Sequence, residues 1–393
     1  MRRYRELLSI PGVGRLAAAV LPARLATSML NLSLLVAASQ RYGYATAGLL
    51  LMVFAVANSV AGPMRGRTAD RKEPRQVMLW MTVGHAVAWA GLLAGLFASA
   101  PAAVIAVAAG ALGATVPPAG PVVRGLWPAI VAKENLPTAY AFDAALNTAA
   151  FLTGPMIAGG LLLLMPAPAA VALTGVCKLT GDLLISISPT LRHHRRDGEP
   201  APRGLLGPLA NGRVRLLLGM IVFDTFAFGC LEVAAVAAVS GRGTAGVFHS
   251  AMALGAVVAS IGYGARTWPG RPHTQLVVLH ATGAAVLAGA GLAGAELLVL
   301  VAALYTVYGL VNGPVETLQQ VLVGELTPES QRIEAFAWVF SLMWAGFGIG
   351  TTVAGRLVAD GQPSGALYAA AIGQALVAGV ALTAFRRPHN TDT

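Results

Sequence analysis

Twelve apolar segments, each long enough to cross a bilayer, run along this chain at roughly 16–38, 45–65, 77–98, 102–131, 139–164, 168–189, 215–239, 244–264, 275–294, 296–323, 334–358 and 364–385. No single soluble core can absorb that many long apolar runs, so the solvent that suits them is a membrane. Composition agrees: charged residues make up 11% of the 393 residues, against about a quarter in a soluble domain. Gly and Ala dominate the segments, as helices need where lipid gives no hydrophobic drive to associate and contact must be close. Interior prolines such as Pro22, Pro121 and Pro314 are tolerable because neighbouring helices can satisfy the freed carbonyls.

The basic residues set orientation. All Lys and Arg fall at the N-terminus, the even-to-odd loops or the C-terminus except Arg41 and Arg242 in the opposite loops and Arg24, Arg124, Lys178 and Arg356 within segments. By the positive-inside rule both termini are expected in the cytoplasm, with the chain a multi-pass protein of the cell membrane. The net charge of +10 then follows from topology, and no nucleic-acid partner is needed to explain it. The basic start MRRYRELLSIPG precedes a segment too long for a signal peptide, so no cleavage is expected. Cys177 and Cys230 lack metal-ligand spacing and read as small core residues without a disulfide.

The longest polar interruption, RHHRRDGEPAPRGLLGPLANGRVR at 192–215, divides the segments six and six. The two halves repeat. RLAAAVLPARLATSMLNLS from Arg15 answers RLLLGMIVFDTFAFGCLEV from Arg215, TAGLL at Thr46 answers TAGVF at Thr244, and GRT at Gly66 answers GART at Gly264. AGPVV at Ala119 recurs as NGPVE at Asn312, and YAFDAA at Tyr140 as EAFAWV at Glu334. The matches keep one order at offsets near 193–200, and six segments per half make the repeats parallel. The expected fold is an all-α polytopic membrane protein. Twelve transmembrane helices form two six-helix bundles related by a pseudo-two-fold axis: 1–191, a cytoplasmic linker 192–214, and 215–393.

The stretch AGPMRGRTADRKEPRQVM at 61–78 packs five basic and two acidic side chains between apolar segments 2 and 3. With it, the sequence resembles the major facilitator superfamily over nearly the whole chain. The family signature Gly-x-x-x-Asp-Arg/Lys-x-Gly-Arg/Lys-Arg/Lys is met by Gly66, Asp70 and Arg71, with Arg75 as the trailing base; Glu73 stands where a second glycine is usual. A second signature, Gly-Pro-x-x-Gly-Gly of antiporter-type members, resembles TGPMIAGG with Gly154, Pro155, Gly159 and Gly160, one residue longer in spacing. The texture around VRGLWPAIV resembles actinobacterial-style efflux permeases. The resemblance implies drug or metabolite efflux, with helices 1, 4, 7 and 10 lining a central cavity.

Physical argument gives the first loop a mechanism. Gly66 would let helices 2 and 11 approach, and Asp70 would accept donors at the N-terminus of helix 11, where the helix dipole favours an anion. Arg71 and Arg75 would tie the loop to carboxylates such as Glu134, latching the cytoplasmic side; the competing reading is a solvated, topogenic turn.

Ionisable groups inside the membrane are functional candidates because burying them unpaired is costly. Arg24, Arg124, Asp224 and Glu316 all lie nine residues, about 13 Å, from a charged residue at the cytoplasmic boundary. Both cations are in the first half and both acids in the second, so a cross-half pair is expected to gate the inner side, and protonation of Asp224 or Glu316 would weaken it. Glu232 is a further carboxylate candidate for proton coupling or the substrate cavity. Blander readings go to Lys178 with Asp182 (mutual neutralisation), Arg356 (snorkelling), His85 and His280 (satisfied core histidines), RHHRR at 192–196 (topogenic) and Asp143 (its own helix N-terminus).

The leading expectation is a proton-coupled exporter of a small organic compound by alternating access. It would act as a monomer in lipid, with the proton gradient as energy source and no cofactor or metal. The rivals are an importer or uniporter and, from another class, a polytopic membrane enzyme. Against the enzyme stand the missing HExxH, Asp-x-x-Asp, Gly-x-Ser-x-Gly and glycine-rich phosphate motifs.

Overall fold

A computed structural model describes residues 2–193, 206–238, 245–293 and 298–384. Arg242, Thr244, most of the inter-half linker and the RHHRR run from His194 onward lie outside them. A short N-terminal helix, Arg2–Ser9, precedes the membrane helices. The first half holds α1 (Val13–Gly43), α2 (Thr46–Arg71), α3 (Pro74–Phe97), α4 (Ala102–Ile130, in two pieces), α5 (Leu136–Leu164) and α6 (Ala167–Ser186). The second holds α7 (Gly212–Ala238), α8 (Ala245–Gly264), α9 (Pro272–Ala293), α10 (Leu298–Leu326), α11 (Arg332–Ala359) and α12 (Pro363–Ala384). Eleven described helices are long and apolar enough to span a bilayer, and Ser250–Gly264 of α8 is a shorter apolar one.

Gly43, at φ +80°, makes the turn from α1 into α2, a backbone region that a side chain disfavours. The long fourth segment is broken: α4 stops at Thr115 and restarts at Ala119 because Pro117 and Pro118 supply no N–H and force Val116 out of helical geometry. Pro121, expected in a helix interior, therefore falls in the first turn of the second piece, where proline is tolerated. Three carbonyls at the break are taken up by one side chain. Arg65 donates through Nη1 to the carbonyls of Gly113 (3.1 Å), Ala114 (3.5 Å) and Val116 (2.5 Å). Its Nη2 bonds the Asn58 carbonyl and Oδ1, both at 2.7 Å. Arg65 is thus buried inside α2, and not part of the solvated loop where its place near the segment end put it.

The cores divide the molecule. Away from the basic loops each half has its own, one around Leu34, Phe54, Trp89 and Leu112, the other around Leu231, Phe248, Leu287 and Tyr305. At the end carrying the basic loops a single core joins both, with Leu16, Trp127 and Tyr140 packed with Ile221, Leu318 and Phe336. Among the described residues, the core shared by the two halves lies at this one end.

Candidate functional site: the charged seam between the halves

Four ionisable side chains meet where the shared core begins. Asp143 sits two turns into α5 and is 2% exposed; it joins both buried arginines. Its Oδ1 accepts from Arg24 Nη2 at 2.5 Å and its Oδ2 from Arg124 Nε at 2.8 Å, while its carbonyl accepts from Arg24 Nη1 at 2.8 Å. Arg124 Nη2 then lies 3.7 Å from Glu316 Oε1 on α10, an ion pair across the seam that is longer than a hydrogen bond. Gln320, one turn on, donates to the same Glu316 oxygen at 3.0 Å. The cluster balances two cations with two anions, so no net charge is buried.

Of the residues singled out in the sequence, Arg24, Arg124 and Glu316 are therefore brought together, and Asp224 is not. Arg24 pairs within its own half. Asp224 on α7 faces neutral groups: Gln374 Nε2 of α12 donates to its Oδ1 at 2.8 Å and to the Tyr308 hydroxyl of α10 at 3.0 Å. His280 Nδ1 of α9 meets Gln374 Oε1 at 2.6 Å. Glu232 is half-buried on the same helix, further from the basic end. Asp143, read from sequence as a cap of its own helix, is a correction: α5 begins at Leu136, seven residues earlier, so its N-terminus is out of reach. Charge balance was the available signal, because Lys178 and Asp182 consume one another (2.5 and 2.6 Å) and leave Arg24 and Arg124 needing an acid.

A second set of contacts ties α2 to α11 at the basic end, where a latch was expected. Asp70 Oδ1 and Oδ2 accept from the backbone N–H of Ile333 (3.2 Å) and Glu334 (2.6 Å), donors of the first turn of α11 that have no partner within the helix. Gly66 makes this approach possible: a Cβ there would lie 2.6 Å from Ala337 Cβ and 2.9 Å from the Ile333 carbonyl oxygen. The cation of the latch is Arg67, whose Nε and Nη2 clamp Glu334 at 2.9 and 2.6 Å. The expected ties from Arg71 and Arg75 to Glu134 are not formed. Arg71 is exposed and pairs with no carboxylate among the described residues, and the Nε of Arg75 is buried without a partner. The period explains the swap, since Arg67 lies three residues before Asp70 on the face turned to α11, whereas Arg71 is the last residue of α2.

The pseudo-symmetric contact joins α8 to α5. Gly264 lies against Ala141 and Thr138, and the Thr138 hydroxyl donates to its carbonyl at 2.5 Å. Tyr4 of the N-terminal helix reaches across from the first half to the Ile261 carbonyl at 2.9 Å, and burial pushes its phenol up to about 12. In the helix 5 signature only Gly154 is at a contact, against Leu25, Ser28 and Met29 of α1. Gly159 and Gly160 have nothing within 4 Å of a built Cβ, and Pro155 is exposed. Cys177 and Cys230 are free thiols, and among the described residues no three His, Cys, Asp or Glu side chains converge to hold a metal.

Two six-helix halves, joined at one end and carrying buried charge at their seam, have the architecture of a secondary membrane transporter. Known proteins place it further. The sequence pattern of the Major Facilitator Superfamily matches residues 16–313. The chain belongs to that superfamily. None of the curated protein sequences compared with it matches. Among solved structures it is similar to a bacterial homologue of the iron transporter ferroportin in an outward-facing state. The two share 12% identity and a TM-score of 0.81, over 95% of this chain and 99% of that one. It is also similar to the human organic anion transporter MFSD10 (17%, 0.74, 94% and 99%) and to the Escherichia coli fucose:proton symporter FucP (13%, 0.76, 97% and 100%). At these identities the likeness is one of fold.

Proposed function

We propose that the protein is a proton-coupled exporter of a small organic compound in the cell membrane, with both termini cytoplasmic and a monomer as its working unit. The first bundle is residues 1–191, the linker 192–214 and the second bundle 215–393. The observation that carries this reading is the seam. One shared core and one latch close the basic end, while separate cores leave the halves free to part at the other. With the basic loops in the cytoplasm, this is the cytoplasm-closed conformation. Rocking the halves the other way has to break Arg67–Glu334, release Asp70 from α11 and separate Arg124 from Glu316. Each is a polar contact that water can replace once the seam is wet, so the change trades one set of partners for another.

Substrate and proton act by binding the two states unequally. Arg24, Arg124, Asp224, Glu232 and Glu316 are the groups assigned to proton coupling or the substrate cavity: a proton can neutralise the three carboxylates, while the two arginines stay charged and can pair with an anionic group. Export is supported by the resemblance of Gly154, Pro155, Gly159 and Gly160 to the antiporter-type signature.

The test is a transport screen in cells expressing the protein, using a panel of small organic compounds with and without a protonophore. Expression is expected to lower the accumulation of at least one compound, and the protonophore to restore it. Raised accumulation on expression would make the protein an importer, and indifference to the protonophore would make it a uniporter.

A further inference from the structure

Among the described residues, the acids within the helices and at the halves' contacts almost all have a cation or a helix terminus. Asp143 has Arg24 and Arg124, Asp182 has Lys178, Glu334 has Arg67, Glu316 has Arg124, and Asp70 caps α11. Asp224 is different. It is 8% exposed, no Lys or Arg of the described residues pairs with it, and its one hydrogen bond comes from a neutral amide. Its second oxygen, Oδ2, has no protein donor and is not sealed from solvent.

The amide is held in a set orientation. His280 is fully buried, and its Nδ1 meets Gln374 Oε1, so the proton must sit on Nδ1. That fixes the Gln374 NH2 toward Asp224 and Tyr308, both of which accept from it. Gln374 itself is 2% exposed. Four helices, α7, α9, α10 and α12, thus contribute one residue each to a hydrogen-bonded chain His280–Gln374–Asp224/Tyr308 that holds one carboxylate.

The ionisable groups around it are few. From α10 come Tyr308 and, further along the helix, Glu316, both within electrostatic reach of Asp224. From α9 comes His280 through Gln374, and α7 itself adds Cys230 and Glu232 beyond Asp224 and Arg213 and Arg215 at its start. The ionisable residues of α11 are Arg332, Glu334 and Arg356 near its ends; those of α8 are His249 and Tyr263, and α12 has Tyr368.

We propose that Asp224 is the carboxylate on which this transporter carries its exchangeable proton, with Gln374 as the positioning residue that holds Oδ1 while Oδ2 takes up and releases the proton. The inference rests on the proton-coupled reading above. A proton from water reaching Oδ2 adds to its lone pair, giving the neutral acid, and returns to water on release. Oδ1 accepts from Gln374 in both forms, so no ion pair is broken and no partner is orphaned. At Asp143 or Asp182 the same proton would strand a buried Arg or Lys. Uptake at Asp224 also removes a carboxylate charge within electrostatic reach of Glu316 on α10, and so alters the field at the Arg124–Glu316 link.

The experiment is infrared difference spectroscopy after pH steps on the full-length protein in liposomes, with the proton as the only ligand. A carboxylic-acid C=O band is expected on acidification, absent from Asp224→Asn, shifted in Asp224→Glu and still present in Glu316→Gln. Gln374→Leu and His280→Leu should move its frequency, whereas His280→Gln, which keeps a donor toward Oε1, should leave it in place. A purely structural role for Gln374 would lower stability without moving the band. Retention of the band in Asp224→Asn with its loss in Glu316→Gln would overturn the proposal and leave proton coupling standing. No titrating band in the wild type would remove both.

Discussion

Asp143 is where single-residue chemistry decides most. Its two oxygens each hold a guanidinium, and Arg24, Arg124 and Asp143 are all nearly sealed, at 9%, 6% and 2% side-chain exposure. Asp143→Asn keeps the shape but removes the charge, leaving two buried arginines with only Glu316 at 3.7 Å to balance them. Removing one partner of a buried pair destabilises by about 3–5 kcal/mol. The expected outcome is a large loss of thermal stability in detergent, with Asp143→Glu much milder because the charge is kept. A stability equal to wild type in Asp143→Asn would mean that the arginines find other partners. This centre was half legible in the sequence. Burial in an apolar segment marks Arg24, Arg124 and Glu316, because charge there is costly wherever it points. Which acid meets which base depends on helix starts and facing, and a three-residue error in the start of α5 was enough to hide Asp143. The same limit made Arg71 rather than Arg67 look like the cation of the latch.

At the level of elements, close approach is written in glycines, but not every glycine marks one. Gly66 has backbone of α11 within 2.9 Å of where its Cβ would be, and Gly159 has nothing within 4 Å. Gly66→Val should push α2 off α11, break the bonds from Ile333 and Glu334 to Asp70, and raise protease cleavage at the basic loops. Gly159→Ala and Gly160→Ala are expected to change thermal stability by less than about 0.5 kcal/mol, or to raise it slightly through helix propensity. Equal sensitivity at Gly66 and Gly159 would contradict this assignment. Helices themselves were readable from apolar runs, because the bilayer fixes their length. The break in α4 was not, although Pro117–Pro118 announces it, since whether a double proline ends a helix or merely bends it rests on what satisfies the freed carbonyls. Here Arg65 does so, 52 residues earlier in the chain than Pro117.

For the whole molecule, the repeat at offsets near 193–200 residues anticipates the arrangement of the latch. Gly66 on α11 and Gly264 on α5 are related contacts, one fastened by Asp70 and Arg67 and the other by Thr138 and Tyr4. Two different fastenings on one pseudo-symmetric frame mean that the two sides of the closed end need not open together. What no single sequence discloses is the state of the bundle, because the same helices pack either way and the balance is set by a few contacts at each end. These halves are fastened at the basic end, and alternating access would exchange that closure for one at the opposite end. Spin-label distances test this most directly, with one pair at exposed Glu73 and Thr267 on the basic end and a second at Ala98 and Gln362 on the other. In liposomes the account predicts a short basic-end distance as the main population. Arg67→Ala should lengthen it, and the second distance should shorten in the same molecules as the first grows. Two distances that rise and fall together, or neither responding to loss of Arg67, would contradict it.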